Sequence, residues 1–333
     1  MTFSEADSPQ PSRTAGAPAT KSRERAGSGS DLDVVTGAFS FTGGFIARRL
    51  IDNGRRVRTL TNHLRRPAAE EMKVEVAPLQ FANEATLVES LRGADTLYNT
   101  YWVRFPHGGI TFDDAVVNTR VLMSAAVTAG VRKVVHISVS NPAPDSPLPY
   151  YAGKAHAEAV VQQAGLPWAV VRPTLIFGPG DILINNIAWL LRRLPAFLIA
   201  GLGDYKLQPV SGEDVAEIAI AVADQTENLV VDAAGPDTIS YAELVESVAI
   251  SVGRKPLLLY VPPALMLRAG NVVGRFVRDV VLTREELEGL MTGLLVSHEP
   301  PRGRRRLDDW LLQNGEKLGT HYASELDRHF RKI

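Results

Sequence analysis

Tyr150 and Lys154 stand four residues apart where a helix begins, a spacing that puts both side chains on one helical face. A phenol is a weak acid, with an ordinary pKa of about 10. A neighbouring ammonium favours the phenolate and brings that value down, so the pair can pass a proton to or from a carbonyl or alcohol oxygen. Ser138 and Ser140 close the apolar run just before them and offer a hydroxyl to steady the same oxygen. Taken alone, Y-x-x-x-K is common and is better read as a surface pair. Its meaning depends on what holds it.

A second constellation lies near the start. The apolar run 32–35 reads as a buried strand, and from Thr42 the spacing turns helical, with Phe45, Ile46, Leu50 and Ile51 on one face. Between them Gly37, Ser40 and Gly43 make a G-x-x-G-x-x-G pattern with serine in the middle place. A strand, a tight turn and a helix start form a site for a dinucleotide diphosphate, because the first amides of a helix point outward and glycine allows close approach. The residues in position are Gly37, Phe39, Ser40, Phe41, Thr42 and Gly43; the alternative is a plain structural turn. The next strand, 56–62, ends at Asn62 and His63, followed by Arg65 and Arg66. No Asp or Glu lies between Gly54 and Pro67, where a carboxylate would hold a ribose 2′-hydroxyl. Guanidiniums there suit a 2′-phosphate, so NADP(H) is expected over NAD(H). The same arginines also suit a solvated loop.

Strands alternate with helices through residue 177, which predicts right-handed βαβ units and a doubly wound parallel sheet of the Rossmann type. The strands are read at 32–35, 56–62, 74–81, 96–102, 133–140 and 168–177. Beyond Gly178 the rhythm breaks. Residues 181–333 are expected to form a smaller α/β lobe, with about 205–234 returning to the main sheet and S/T-x-x-E capping boxes at Ser240 and Thr283. Residues 308–330 are amphipathic and could close the domain or meet a partner. Residues 1–30 are polar and poor in aliphatics, and are expected to be a disordered tail.

The 36 basic and 37 acidic residues balance, which argues against a nucleic-acid partner. The chain has no cysteine, so disulfides, thiolate metal sites and cysteine nucleophiles are excluded. Its seven histidines show no metal-ligand spacing. A cytoplasmic protein is expected, with the periphery of a membrane as the alternative.

With these pieces together, the chain resembles the short-chain dehydrogenase/reductase superfamily, in its extended or atypical epimerase/dehydratase-like branch, over roughly residues 31–300. The match rests on the run from Thr36 to Gly43, the strand-end serines, Tyr150-Tyr151-Ala152-Gly153-Lys154, and Arg172-Pro173-Thr174-Leu175-Ile176-Phe177-Gly178. NmrA-like proteins and the nucleotide-binding accessory subunit of respiratory complex I are the most similar in kind. The resemblance implies Tyr150 as acid/base, Lys154 on the nicotinamide ribose and Ser140, or second Ser138, as the third member. It implies Pro173 beside the nicotinamide, Thr100 and Thr174 among the cofactor-binding residues, and Gln80 where an aspartate often meets the adenine. Ser40 in place of the middle glycine departs from the pattern, as do the prolines between Ser140 and Tyr150. The function implied is an NAD(P)-dependent oxidoreductase or epimerase/dehydratase working on a carbonyl or secondary alcohol; the alternative is a dinucleotide-holding scaffold or redox-sensing regulator.

Smaller signals stay open. Tyr98, Tyr101, Trp102 and Phe105 suit an apolar substrate pocket or a core. His107 and His136 are read as loop and strand residues. Asn185 and Asn186 suit a diphosphate or a helix cap, and Arg192, Arg193 and Lys206 are the cations available to a nucleotide-sugar. The basic run 302–306 reads as a solvated linker with a lipid or partner contact as the alternative, and 182–201 as a packed helix, or one lying on a membrane.

Overall fold

The strands of the first half are short runs rich in valine, which packs well on a pleated surface covered on both sides. The computed structural model describes residues 30–62 and 67–329. Its first half runs β1 (Leu32–Thr36), α1 (Phe41–Asp52), β2 (Arg56–Thr61), α2 (Pro67–Met72), β3 (Glu75–Pro78), α3 (Glu84–Leu91), β4 (Thr96–Asn99), α4 (Phe112–Ala129), β5 (Lys133–Ile137), α5 (Pro149–Gln162) and β6 (Trp168–Pro173). The second half continues with β7 (Leu175–Phe177), α6 (Leu183–Arg193), β8 (Ala196–Ala200), β9 (Lys206–Leu207), β10 (Pro209–Ser211), α7 (Gly212–Ala223), β11 (Leu229–Ala233) and β12 (Ile239–Ser240). It closes with α8 (Tyr241–Ser251), β13 (Leu257–Val261), α9 (Pro263–Val277), α10 (Arg284–Met291), α11 (Leu307–Asn314) and α12 (Glu325–His329).

Seven parallel strands form the main sheet in the order β11-β6-β5-β4-β1-β2-β3. This is the expected Rossmann-like, doubly wound sheet. The strand order reverses between β1 and β4, and ligands of such sheets sit beyond the carboxyl ends at that point. Alternation along each strand sends side chains to opposite faces. Val34, Leu97 and Val134 join the helices α3, α4 and α5, whereas Val35, Tyr98 and Val135 join α1 and α7. All six are fully buried.

The second half departs from the expectation in three places. Residues 206–210 do not return to the main sheet: β9 pairs with β12 and β10 with β7, and only β11 rejoins, beside β6. The single strand expected over 168–177 is broken at Thr174, whose N–H bonds the Ala233 carbonyl while the residues after it turn to β10. The stretch 182–201 is a helix and a strand, because Pro195 disfavours helix in the residue before it. Both predicted capping boxes form, Ser240 with Glu243 and Thr283 with Glu286. The 308–330 segment becomes α11 and α12, and the tail expected over 1–30 lies, apart from Ser30, outside the described residues.

One aromatic joins the two halves. A Cβ at Gly178 would meet the Phe45 ring at 2.8 Å and one at Gly212 would meet it at 2.3 Å, so bare backbone from the second half packs on α1. Among the described residues no helix is long and apolar enough to cross a membrane.

Candidate functional site

The turn after β1 is built to bring backbone close to backbone. Gly37 adopts φ +71°, left-handed and costly for a side chain. Its carbonyl accepts the Ser40 N–H at 2.8 Å. A Cβ on Gly43 would lie 2.2 Å from that carbonyl oxygen, a distance no side chain survives. Ser40 is the N-cap of α1 in ordinary extended backbone, φ −83°, which is why serine can stand where the family pattern has glycine. The first bond inside α1 runs from the Gly44 N–H to the Ser40 carbonyl at 3.0 Å. The Phe41, Thr42 and Gly43 amides precede it, so α1 supplies them no carbonyl. Thr36 locks this turn to the neighbouring strand: its Oγ1 accepts the Thr100 N–H at 2.7 Å and the Tyr101 N–H at 3.0 Å. The Thr100 hydroxyl donates back to the Thr36 carbonyl. The arrangement fits a dinucleotide diphosphate: free amides, a positive helix end and no side chain in the way.

At the adenosine end, Asn62 follows β2 and is exposed, as is Gln80 after β3. His63, Arg65 and Arg66 lie outside the described residues.

The residues expected to transfer a proton are arranged differently from the expectation. Lys154, one turn into α5, reaches back to β5 and donates to the Ile137 carbonyl at 3.1 Å. Its ammonium lies 4.8 Å from the centre of the Trp102 ring. Burial pushes its pKa down to about 7, against the pull of Glu158. The indole can lie there because residue 153 is glycine: a Cβ would meet it at 3.1 Å. Tyr150, in the first turn, instead sets its ring edge-on to Trp102 and Phe112. Burial and the charge of Glu286 push its phenol up to about 12, and the cation that opposes them is Arg104. The expected lowering of Tyr150 by Lys154 is therefore absent, since the aromatic stack takes the phenol toward α10 while the ammonium turns to the sheet.

The two serines also divide. The Ser140 hydroxyl donates to the Leu294 carbonyl at 2.6 Å, beside the Asn141 amide, which bonds Leu294 and Val296. Ser138 Oγ is buried and has no hydrogen-bond partner. In this conformation Ser138, and not the favoured Ser140, has the hydroxyl to offer. The Pro173 carbonyl accepts the Ser140 N–H at 2.9 Å, and the Thr174 hydroxyl is taken by the Gln208 carbonyl.

Three residues beside these were missed or set aside in the sequence. His136 pairs through Nδ1 with the Asn99 amide at 3.0 Å, while Nε2 is buried without a partner. Since the amide N–H₂ donates, Nδ1 is the acceptor and Nε2 carries the proton. Burial and the nearby Lys154 push His136 down to about 3, so the ring is neutral. Trp102 Nε1 is likewise buried and unpartnered. Arg104 bonds Glu286 at 2.5 Å and also pairs with Glu325, which ties the loop after β4 to α10 and α12. Polar residues at the facing ends of β4 and β5, Asn99 opposite His136, were the signal available in the sequence.

Comparison with known proteins matches this geometry. Residues 37–181 match the NAD(P)H-binding family. Over that stretch the chain is similar to an NAD(P)H-binding domain. The mitochondrial 40 kDa subunit of NADH-ubiquinone oxidoreductase from Neurospora crassa is 25% identical over 219 residues, 65% of this chain and 57% of that protein. An NAD(P)H azoreductase from Xenophilus azovorans is 26% identical over 185 residues, 54% of this chain and 55% of that one. The chain thus spans little more than half the length of these curated relatives. A nucleoside-diphosphate-sugar epimerase of Staphylococcus aureus has the same fold, with a TM-score of 0.65 at 17% identity over 84% of this chain and 99% of that one.

The remaining candidates have structural employment. Asn185 and Asn186 do not cap α6 but hold the C-terminal segment through His321, Ala323 and Gly319. Arg192 and Arg193 bond carbonyls of residues 315–320. Those two cations are engaged, and Lys206, the third, is exposed and approaches Glu243 only at 3.9 Å. The 302–306 run is a strap and not a solvated linker: Arg305 pairs with Asp214 and Glu217, and Arg306 with Asp237. Tyr98 is core; Tyr101 is hydrogen-bonded to Asn118, and His107 sits in a loop bridge to Ile110.

Proposed function

We propose that the protein is an NADP(H)-dependent oxidoreductase or epimerase/dehydratase acting at a carbonyl or secondary alcohol of a small molecule. The observation that carries this reading is the cradle at the front of α1, where Gly43 lets the helix start lie against Gly37. The uncharged Asn62 and the adjacent Arg65 and Arg66 favour the 2′-phosphate form. When bound, the nicotinamide supplies or accepts hydride. Ser138 steadies the substrate oxygen with its unused hydroxyl. Tyr150, kept protonated by burial, gives that oxygen its proton, and Lys154 is poised to exchange a proton near neutrality. Azoreductase in a relative's name supports reduction at the expense of NAD(P)H.

A dinucleotide-holding scaffold is the second reading. It is favoured by Ser140 being closed off by Leu294, by Tyr150 lying nearer the field of Arg104 than of Lys154, and by a relative that is a subunit of a larger oxidoreductase. The test is to titrate NADPH and NADH by fluorescence, then follow NADPH consumption over aldehydes, ketones and quinones in the wild type and in Tyr150→Phe. Turnover that disappears in Tyr150→Phe with cofactor affinity kept supports the enzyme. Binding with no turnover over the panel supports the scaffold, and tighter NADH binding overturns the NADP(H) preference.

A further inference from the structure

Helix α9 is the least buried long helix of the second lobe, with Gly274 its one buried residue. It is apolar on two sides. Met266, Leu267, Val273 and Val277 are half-buried toward the protein, whereas Leu265, Val272 and Phe276 are 47%, 56% and 87% exposed. Their spacing places those three on one stripe. Leu257, Leu259 and Tyr260 of β13, just before α9, are exposed as well. Solvated single hydrophobics are ordinary; a stripe of three on one helix, the last of them a phenylalanine 87% exposed, is not.

The sequence that makes this face is basic. From Glu246 to Asp279 the chain has no acidic residue, but it has Arg254, Lys255, Arg268, Arg275 and Arg278. The side chains of Arg268, Arg275 and Arg278 have no hydrogen-bond or ion-pair partner among the described residues. All three line one groove of about 690 Å³ between α9 and the segment that follows it. Asp279 also lines it, but its carboxylate is taken by the Tyr322 hydroxyl and by the N–H groups of Glu325 and Leu326. Arg278 holds φ +55°, a conformation glycine adopts at less cost, and there it adds the third guanidinium to the groove.

From this we infer that α9 forms a docking face for an anionic lipid bilayer, with Leu265, Val272 and Phe276 entering the apolar boundary and the three arginines taking phosphate headgroups. The combination of exposed apolar stripe and flanking arginines is that of a helix lying in a membrane interface, where long cationic side chains reach the headgroups. A second copy of the chain is a poorer occupant, because a two-fold contact would set these unpaired cations against themselves. The two stretches whose sequence alone suggested a membrane contact are otherwise engaged: Arg305 is ion-paired and α6 buries its apolar side.

The inference is independent of turnover and is tested on the full chain by sedimentation with phosphatidylglycerol and with phosphatidylcholine vesicles. Wild-type protein is expected on the anionic vesicles and not on the zwitterionic ones. Loss of two cations in Arg268→Ala/Arg275→Ala is expected to weaken partitioning on the order of 30-fold, from about 1 kcal/mol per basic residue at the surface. Phe276→Asp is expected to abolish it, with NADPH affinity unchanged in both variants. The proposal is overturned by wild-type protein that ignores anionic vesicles, by variants that bind them undiminished, or by a concentration-dependent dimer that Phe276→Asp dissolves.

Discussion

Lys154 is only 4% exposed, and its ammonium has one carbonyl and one aromatic face for company. Burial takes its pKa from 10.5 to about 7. An unfolded chain keeps that proton up to the ordinary lysine value, whereas the folded one gives it up near neutrality. Between those values the unfolded state binds more protons, so stability rises with pH; the gain is complete above the unfolded value and is lost as pH falls to the folded one. One proton is worth about 1.4 kcal/mol per pH unit. From about pH 7, where the group is half titrated, to about pH 9, the gain comes to roughly 2 kcal/mol. Lys154→Met keeps the length and apolar packing under Trp102 without the charge. Urea unfolding of both proteins at the two pH values should show the wild type gaining about 2 kcal/mol over the variant. Equal changes in both would mean that Lys154 keeps its proton in the folded chain and that the hollow is wetter than its burial implies.

Gly43→Ala, which forces a methyl against the Gly37 carbonyl, is expected to weaken NADPH binding roughly tenfold or more in a fluorescence titration. His136 is held neutral by burial, from 6.5 down to about 3. Its contribution is present above the unfolded value and lost on acidification: between about pH 7 and pH 4 the wild type should lose about 3 kcal/mol that His136→Gln does not, read by urea unfolding. Arg104→Met leaves Glu286 and Glu325 facing each other without their shared cation. It should lower stability by about 2–3 kcal/mol, seen as a lower thermal midpoint.

The half of the molecule that was legible in the sequence is the half made by periodicity. Paired valines in short, mainly apolar segments mark β1, β5 and β6 as strands with two covered faces in spite of Asp33, His136 and Arg172, and the glycines at 37 and 43 mark a turn whose geometry tolerates nothing larger. The site was harder to read because it depends on side chains from distant segments. The sequence puts Tyr150 and Lys154 on one helix, but cannot show that Trp102, some fifty residues earlier, lies over Lys154 or that Glu286 and Arg104 set the field at Tyr150. The breaks and partners of the short strands β7, β9 and β10 escaped for a similar reason: two or three residues carry no period, and a single tertiary bond such as that of Thr174 to Gln208 decides what they pair with.

Arg192 and Arg193 grip the C-terminal segment through carbonyl oxygens and not carboxylates. A peptide oxygen neither gains nor loses a proton over the range in which Lys154 and His136 change theirs. That clasp has no acid partner to neutralise, so it stays shut while acidification strains the sheet around His136. Beyond residue 321 the same segment is held by the Asp279 carboxylate instead, so acid reaches the chain's end there and not at its fastening to α6.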